Sequence, residues 1–565
     1  MKIDPITTEI VASRLREAAA SMEHALYHSG YSPILRESKD GTAGLTDADG
    51  RVVLVGGGIQ FHFMQYQLAV QAVLQRYPAS GLEPGQSFIT NDPYKAGSSH
   101  APDMVAVTPA FYQGRLVGFG VSVAHKADIG GLVPGSSGAG AREIYHDGML
   151  IPPVRFQTAA GIDEAVEAII ANNSRIPDIL LGDLRAQVGA TRIGVERLAA
   201  LCEEYGVDTV LGVMASLMDL AARRVRAELA LWADGTSEAE GFLDHDGAAK
   251  DRPVRIHVRA TKSGERLRLD FSDSSAQTAG PVNLVTSTAK AVSLLAVLAT
   301  TDPTIAVNFG LTDAVEFAIP AGLVVSPIHP ATVNHYFPTA HLTYNVVLAA
   351  LGKLNPARAV APSGLGSGAV SIGYRQARTG KPAVLYELLN TSLGGTSRQD
   401  GTPIVMAMCH FTPGAPVEII ESEYPLRVRA FELVCDSAGA GRYRGGAGYA
   451  REFEMLEDSV LTVRSANHRF TAWGQSGGAS PRASRVILNP GRPESEELGA
   501  IETRALKAGD VIRFERSGGA GYGPPQERAP DAVRDDVRDG YVSAEAAASV
   551  YRQPQDEAAY SDGDA

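Results

Sequence analysis

NDPYKAGSSHAPDMVAVTPAFYQGRLVGFGVSVAHKAD, residues Asn91 to Asp128, decides how this chain is read. Within it DMVAVTPAF (103–111) and RLVGFGVSVAH (115–125) are apolar, β-branched runs, and Tyr112-Gln113-Gly114 lies between them. Two β-favouring runs joined by a short glycine-containing link predict an antiparallel hairpin. Pairing about Gly114 sets Asp103 opposite His125 or within one residue of it. Directly opposed Cβ atoms lie about 4.5–5.5 Å apart, close enough for two side chains to grip one ion. His100 is a third candidate, because Pro102 keeps Ala101 out of the helical region and makes His100-Ala101-Pro102-Asp103 a turn into the strand. Two imidazoles and a carboxylate at the open end of a hairpin suit a divalent metal such as zinc, manganese or iron. Read blandly, both histidines are polar residues at strand ends and Asp103 is a turn residue.

Composition narrows the function classes. A chain of 565 residues, 44% hydrophobic and 20% charged, has the make-up of a globular protein large enough for more than one domain. A net charge of −13 and the lack of a Lys/Arg stripe argue against nucleic-acid binding. Three cysteines, Cys202, Cys409 and Cys435, make neither a disulfide framework nor a Cys-based metal site, so a reducing, cytoplasmic setting is expected. The first residues carry charge without an apolar segment, and no stretch approaches the roughly 18 apolar residues of a membrane span, so no membrane is expected.

Further motifs accompany the central stretch. They are LRESKD (35–40), HKADIGGLVPGS (125–136), LGDLRAQVGA (181–190), YPLRVRAFEL (424–433), DSAGAGRYRGGAG (436–448), RFTAWGQSGG (469–478) and a terminal GGAGYGPP. Together with NDPYKAGSSHAPD this set resembles the hydantoinase B/oxoprolinase family along almost the whole chain. The family contains B-type subunits of ATP-dependent hydantoinases and lactamases, half of 5-oxoprolinase, and the large subunits of acetone-type carboxylases. The resemblance implies one divalent metal held by Asp40, His100, Asp103 and His125. It also implies an A-type partner subunit that uses ATP to phosphorylate a small cyclic amide, in a hetero-oligomer such as a heterotetramer. Water activated by the metal then opens the ring. An acetone- or acetophenone-type carboxylase is the alternative within the family, and a non-catalytic scaffold with a structural metal is the alternative outside it.

Three other residues are candidates for catalysis. Asp128 follows the last ligand in Asp128-Ile-Gly-Gly, where Gly130 and Gly131 permit positive φ and their N–H groups suit an anion. Asp128 itself is a candidate to orient a ligand imidazole or manage protons. Asp147 in EIYHDGM is a further candidate acid/base, and His62 sits at a helix start where it is positioned to line the site. The Gly-rich phosphate loop ending in Lys-Ser/Thr is absent, and Gly474-Gln-Ser-Gly-Gly478 lacks the strand–turn–helix setting of a nucleophile elbow.

The rest of the chain reads as an α+β fold, with a hairpin-rich site region, central helices and a β-rich C-terminal part. A helix over 6–28 capped by Thr7 or Thr8, a hairpin turned at 48–50, a helix from Asp183 to about Tyr205 and another over 207–233 are expected. Strands follow around Lys262-Ser-Gly-Glu, then apolar helices over 287–300 and 342–351. Between them His329, Asn334 and His335 are within reach of a substrate pocket. Cys409, His410, Asp436 and Trp473 read as structural. The expected regions are 1–240 with the metal site and helices, 241–528 rich in strands, and 529–565 with one amphipathic helix and a flexible tail.

Overall fold

The computed structural model describes residues 3–366, 369–377, 379–409 and 413–552; His410 and the tail from 553 lie outside them. Helix α1 (Pro5–His28) opens the chain, with Asp4 accepting the backbone N–H groups of Ile6 and Thr7. The cap is therefore Asp4 and not Thr7 or Thr8, because Pro5 takes the first helical position, which needs no donor. Strands β1 (Gly41–Thr46) and β2 (Val52–Val55) follow, then helix α2 (Phe63–Arg76) and strands β3 (Ser87–Thr90), β4 (Asp103–Tyr112), β5 (Arg115–His125), β6 (Val154–Thr158) and β7 (Gly161–Ile162). They form one antiparallel sheet ordered β2-β1-β5-β4-β3-β6-β7.

The turn between β4 and β5 is two residues long, with Gln113 at φ 49° and Gly114 at φ 78°. Positive φ at both central positions gives a turn whose twist matches that of the strands, and it fixes register. Asp103 pairs with His125, and Ala124 pairs with Gly41 at the start of β1. Both sheet faces are covered. Val105 and Val107 pack with Phe63, Tyr66 and Val70 of α2, while Met104 and Ala106 pack with Leu184 and Val188 of helix α3 (Pro177–Tyr205). This period-2 division explains why β4 reads as a nearly continuous apolar run. A Cβ on Gly120 of β5 would lie 2.5 Å from the carbonyl oxygen of Thr191, so α3 seats on the sheet only where a side chain is missing.

Helix α3 begins at Pro177, six residues before the expected start, because proline is compatible with the first helical turn. After helix α4 (Val207–Ala230), strands β8 (Gly235–Leu243), β9 (Val254–Ser263), β10 (Arg266–Asp270) and β11 (Val315–Ala318) form a second sheet backed by helices α5 (Thr286–Thr300) and α6 (Phe337–Leu354). One hydrophobic core runs across residue 240, joining Val105 and Val121 to Ile256, Leu269, Val292 and Val347.

Two further sheets complete the C-terminal part. One contains β12 (Ala369–Arg375), β13 (Pro382–Leu388), β16 (Ser459–Arg464) and β19 (Ile501–Leu506). The other contains β14 (Leu426–Leu433), β15 (Tyr449–Met455), β17 (Arg485–Leu488), β18 (Glu496–Glu497) and β20 (Val511–Glu515). The fold is α+β, as expected. Where one terminal helix is expected, two form, α7 (Pro530–Arg538) and α8 (Ala544–Ser549). Gly540 turns the chain at φ 77°, and Ser543 caps the second helix. Arg444 and Arg528 clamp the buried Asp536 at 2.8 Å each, tying this pair to the sheets.

Candidate metal centre

Register alone brings three strand ends together. Asp103 opens β4, His125 closes β5, and Asp40 immediately precedes β1, its carbonyl accepting the His125 N–H at 3.0 Å. His100 enters from the turn before β4. His100 Nε2, Asp103 Oδ1 and His125 Nδ1 form a near-equilateral triangle with sides of 3.0, 3.1 and 3.1 Å. Metal–ligand bonds of about 2.0–2.2 Å imply donor–donor separations of about 2.9–3.4 Å, so these three atoms fit one ion. Among the described residues they are the group of ligand-type side chains close enough to share a cation.

The chemistry of the donor set points the same way. His100 Nδ1 lies 3.1 Å from the carbonyl oxygen of Asn334, which can only accept, so Nδ1 carries a proton and Nε2 is the ring atom left to bind a cation. That nitrogen faces a carboxylate oxygen and a second imidazole nitrogen. Burial lowers the His125 pKa to about 4, against the pull of Asp103, which keeps its ring uncharged at neutral pH. Two imidazole nitrogens and a carboxylate oxygen at these separations are all ligand atoms that one cation satisfies together.

The triangle opens onto a small cavity of about 30 Å³, walled by Asp40, Tyr336, Tyr386, Cys409 and Arg464 among others. That space holds about two water-sized groups. Burial and the neighbouring Asp103 push the Asp40 carboxyl well above the usual carboxylate range. Burial also works against Asp103, but the adjoining imidazoles, His100 foremost, hold its carboxyl well below that range. Asp40 makes no side-chain hydrogen bond among the described residues, and it lies on the cavity wall outside the tight triangle. The second oxygen of Asp103 faces the Tyr336 hydroxyl at 3.4 Å and His62 Nε2 at 3.7 Å. His62 is fully buried, neither ring nitrogen has a hydrogen-bond partner, and burial lowers its pKa to about 4.

The other two candidate acids lie away from the cavity. Asp128 is buried and saturated, accepting from Gly130 N and Gly135 N at 3.0 Å each and from Arg175 N and Nη1 at 3.0 and 2.8 Å. Gly130 and Gly131 do take positive φ, yet Asp128 occupies the Gly130 N–H that the glycine loop was expected to offer an anion. Asp128 therefore orders its own loop and touches no ligand imidazole. Asp147 accepts the Thr332 hydroxyl at 2.7 and 2.9 Å, and burial lifts its pKa to about 7. It reaches the cavity only through the 332–335 segment, whose Asn334 and His335 line it; His329 packs instead against Tyr94 and Tyr145. Cys409, expected to be structural, also lines the cavity. Tyr336, Tyr386 and Arg464 carry no motif that would have marked them in the sequence.

A buried His/Asp donor cluster at the strand ends of a covered antiparallel sheet, facing a small cavity, defines an α+β protein with a candidate interior metal site. Residues 4–525 match the hydantoinase B/oxoprolinase family, and the chain belongs to it. Among its relatives is a protein of Pseudomonas sp. strain NS671 named as the putative B subunit of a D-/L-hydantoinase. It is 31% identical over 577 residues, covering 97% of this chain and 95% of that one. The crystal structure of ATP-dependent caprolactamase from Pseudomonas jessenii superposes with a TM-score of 0.91 at 26% identity, covering 99% of both chains. A nucleotide-free acetone carboxylase shares the fold, with a TM-score of 0.89 at 20% identity over 97% of this chain and 79% of that one.

Proposed function

We propose that this chain is the metal-containing B-type subunit of an ATP-dependent cyclic-amide hydrolase acting on a hydantoin, 5-oxoproline or lactam ring. The observation that carries this reading is the convergence of His100, Asp103 and His125 beside Asp40 on one small cavity. A cyclic amide resists hydrolysis because resonance makes its carbonyl a poor electrophile. An A-type partner using ATP to phosphorylate the substrate oxygen removes that protection. This chain has no Gly-rich phosphate loop, which fits a division of labour.

His100, Asp103 and His125 would hold the cation, with Asp40 closing the set. Zinc, manganese or iron bound there supplies a Lewis acid that makes water acidic near neutral pH. Asp103 is braced from behind by the Tyr336 hydroxyl and by His62, and His100 is oriented by the Asn334 carbonyl, so the donors are pre-positioned. One water adds to the activated carbon, and collapse of the adduct breaks the ring C–N bond with the nitrogen taking a proton; a second water hydrolyses the resulting acyl phosphate to carboxylate and inorganic phosphate. His62 is the nearest of the candidate acid/base groups; Asp128 and Asp147 lie away from the cavity. A phosphorylated ring exceeds the present cavity, so substrate binding opens its wall.

Structural metal sites are commonly closed and Cys-rich; an all-His/Asp set with water-sized space beside it favours catalysis over a scaffold. The likeness to acetone carboxylase keeps a carboxylase as the second reading. Co-expression with an A-type partner separates them: ATP-dependent ring opening of hydantoin, 5-oxoproline or caprolactam supports the hydrolase, and ATP-dependent bicarbonate incorporation supports the carboxylase. His100→Ala and Asp103→Ala should lose metal and turnover while the partner's ATPase persists. Wild-type turnover by a metal-free variant contradicts the reading.

A further inference from the structure

Arg464 ends β16 at the cavity, 4% exposed, and forms no ion pair among the described residues. Its Nε and Nη2 have no hydrogen-bond partner there. A buried guanidinium with open donors is costly, because its lost hydration is not replaced. The side chain is not loose: its Cζ lies 4.8 Å from the Tyr386 ring centroid, and that ring lies 4.2 Å from the ring of His125. Arg464 is thus held in a stack that leads directly to the metal-type donors. Nearby, Asn334 Oδ1 and His335 Nε2 are also buried without partners.

Charge counting shows what is missing. Asp40 and Asp103 would balance one divalent ion; of the two buried cations beside them, Lys126 gives its ammonium to Gln187 Oε1 and the Ala124 carbonyl, whereas Arg464 keeps open donors at the cavity wall. We propose that Arg464 is the receptor for an oxyanion of the reacting molecule, the phosphoryl group of the activated substrate. This deepens the hydrolase reading and rests on it. The planar fork of N–H donors matches phosphate oxygens, and stacking on Tyr386 fixes the plane of that fork before the ligand arrives. Arg464 would thereby select the phosphorylated substrate over the unactivated ring and place it beside His125.

The probe is inorganic phosphate, titrated calorimetrically into the metal-loaded chain purified with its A-type partner, with metal content measured in parallel. Arg464→Gln should bind phosphate about 10- to 100-fold more weakly at unchanged metal content. Arg464→Lys should fall between, since it keeps the charge and loses the fork. In turnover, both variants should raise KM for ring opening more than they lower kcat. An acetate arm distinguishes phosphate from a product carboxylate: phosphate should bind more tightly, and preference for acetate overturns the assignment. Unchanged phosphate affinity in Arg464→Gln, or no phosphate binding by the wild type, also overturns it. If Arg464→Gln fails to fold, Arg464→Lys decides by the same criterion. Arg464-dependent phosphate binding without ring opening would sink the hydrolase reading and leave the anion site standing.

Discussion

Changing Asp147 to asparagine isolates a carboxyl whose proton the fold retains. Burial lifts its pKa from 3.8 to about 7, outweighing the hydrogen bonds from Thr332 and Val333 that favour the charged form. A folded pKa above the unfolded one means that, between about pH 4 and pH 7, the native state binds more protons than the unfolded chain. The Asp147 contribution to stability is therefore full below about pH 4, declines as pH rises and is lost above about pH 7. A difference of about 3 pH units at about 1.4 kcal/mol each makes that decline about 4 kcal/mol. His62 and His125, whose pKa values are lowered by burial to about 4, act in the opposite sense and gain stability as pH rises towards 6.5. They are common to both proteins and cancel in the difference. The substituted amide would be neutral at every pH and would still accept the Thr332 hydroxyl. Urea unfolding at a series of pH values across this window is the assay. The variant should lack the decline and be the more stable protein above pH 7, by up to about 4 kcal/mol. Parallel profiles for the two proteins would refute the assignment of a retained proton to Asp147.

Gly120→Ala places a methyl 2.5 Å from the Thr191 carbonyl and should cost about 1–3 kcal/mol as α3 shifts off the sheet, read as a lower thermal midpoint. Arg175→Ala strands the fully buried Asp128 without its cation and should cost about 3–5 kcal/mol. Adding Asp128→Asn to it should recover part of that loss, and a double variant less stable than Arg175→Ala would contradict the closed network described for this loop. His62→Ala, which removes the ring behind Asp103, should weaken metal affinity about 10- to 100-fold in chelator competition while leaving the fold intact; unchanged affinity would reduce His62 to packing.

Some of the site was legible in the sequence because short-range rules govern it. The Gln113-Gly114 turn dictates a two-residue hairpin, and the hairpin dictates that Asp103 meets His125. The pattern around Ala101-Pro102 likewise bends His100 back towards Asp103. Asp40 was reachable only through resemblance, since the pairing of β1 with β5 that carries it there is a long-range contact with no local signature. Arg464 and Tyr386 read as ordinary residues of alternating strands, and the packing of the third sheet against the first makes them cavity walls. Asp128 and the glycine loop misled for a different reason. Residue types suited to an anion site also suit an acid satisfying its own loop, and only coordinates decide between them. The helix starts differed where proline occupied the first turn.

The central claim is that one cation sits among Asp40, His100, Asp103 and His125. Anomalous diffraction from crystals of the metal-loaded protein, collected on both sides of the metal's absorption edge, tests it most directly. The account predicts one peak per chain within bonding distance of His100 Nε2, Asp103 Oδ1 and His125 Nδ1, with the Asp40 carboxylate turned towards it. An active protein with no peak between these side chains, or with its metal bound elsewhere, would contradict it.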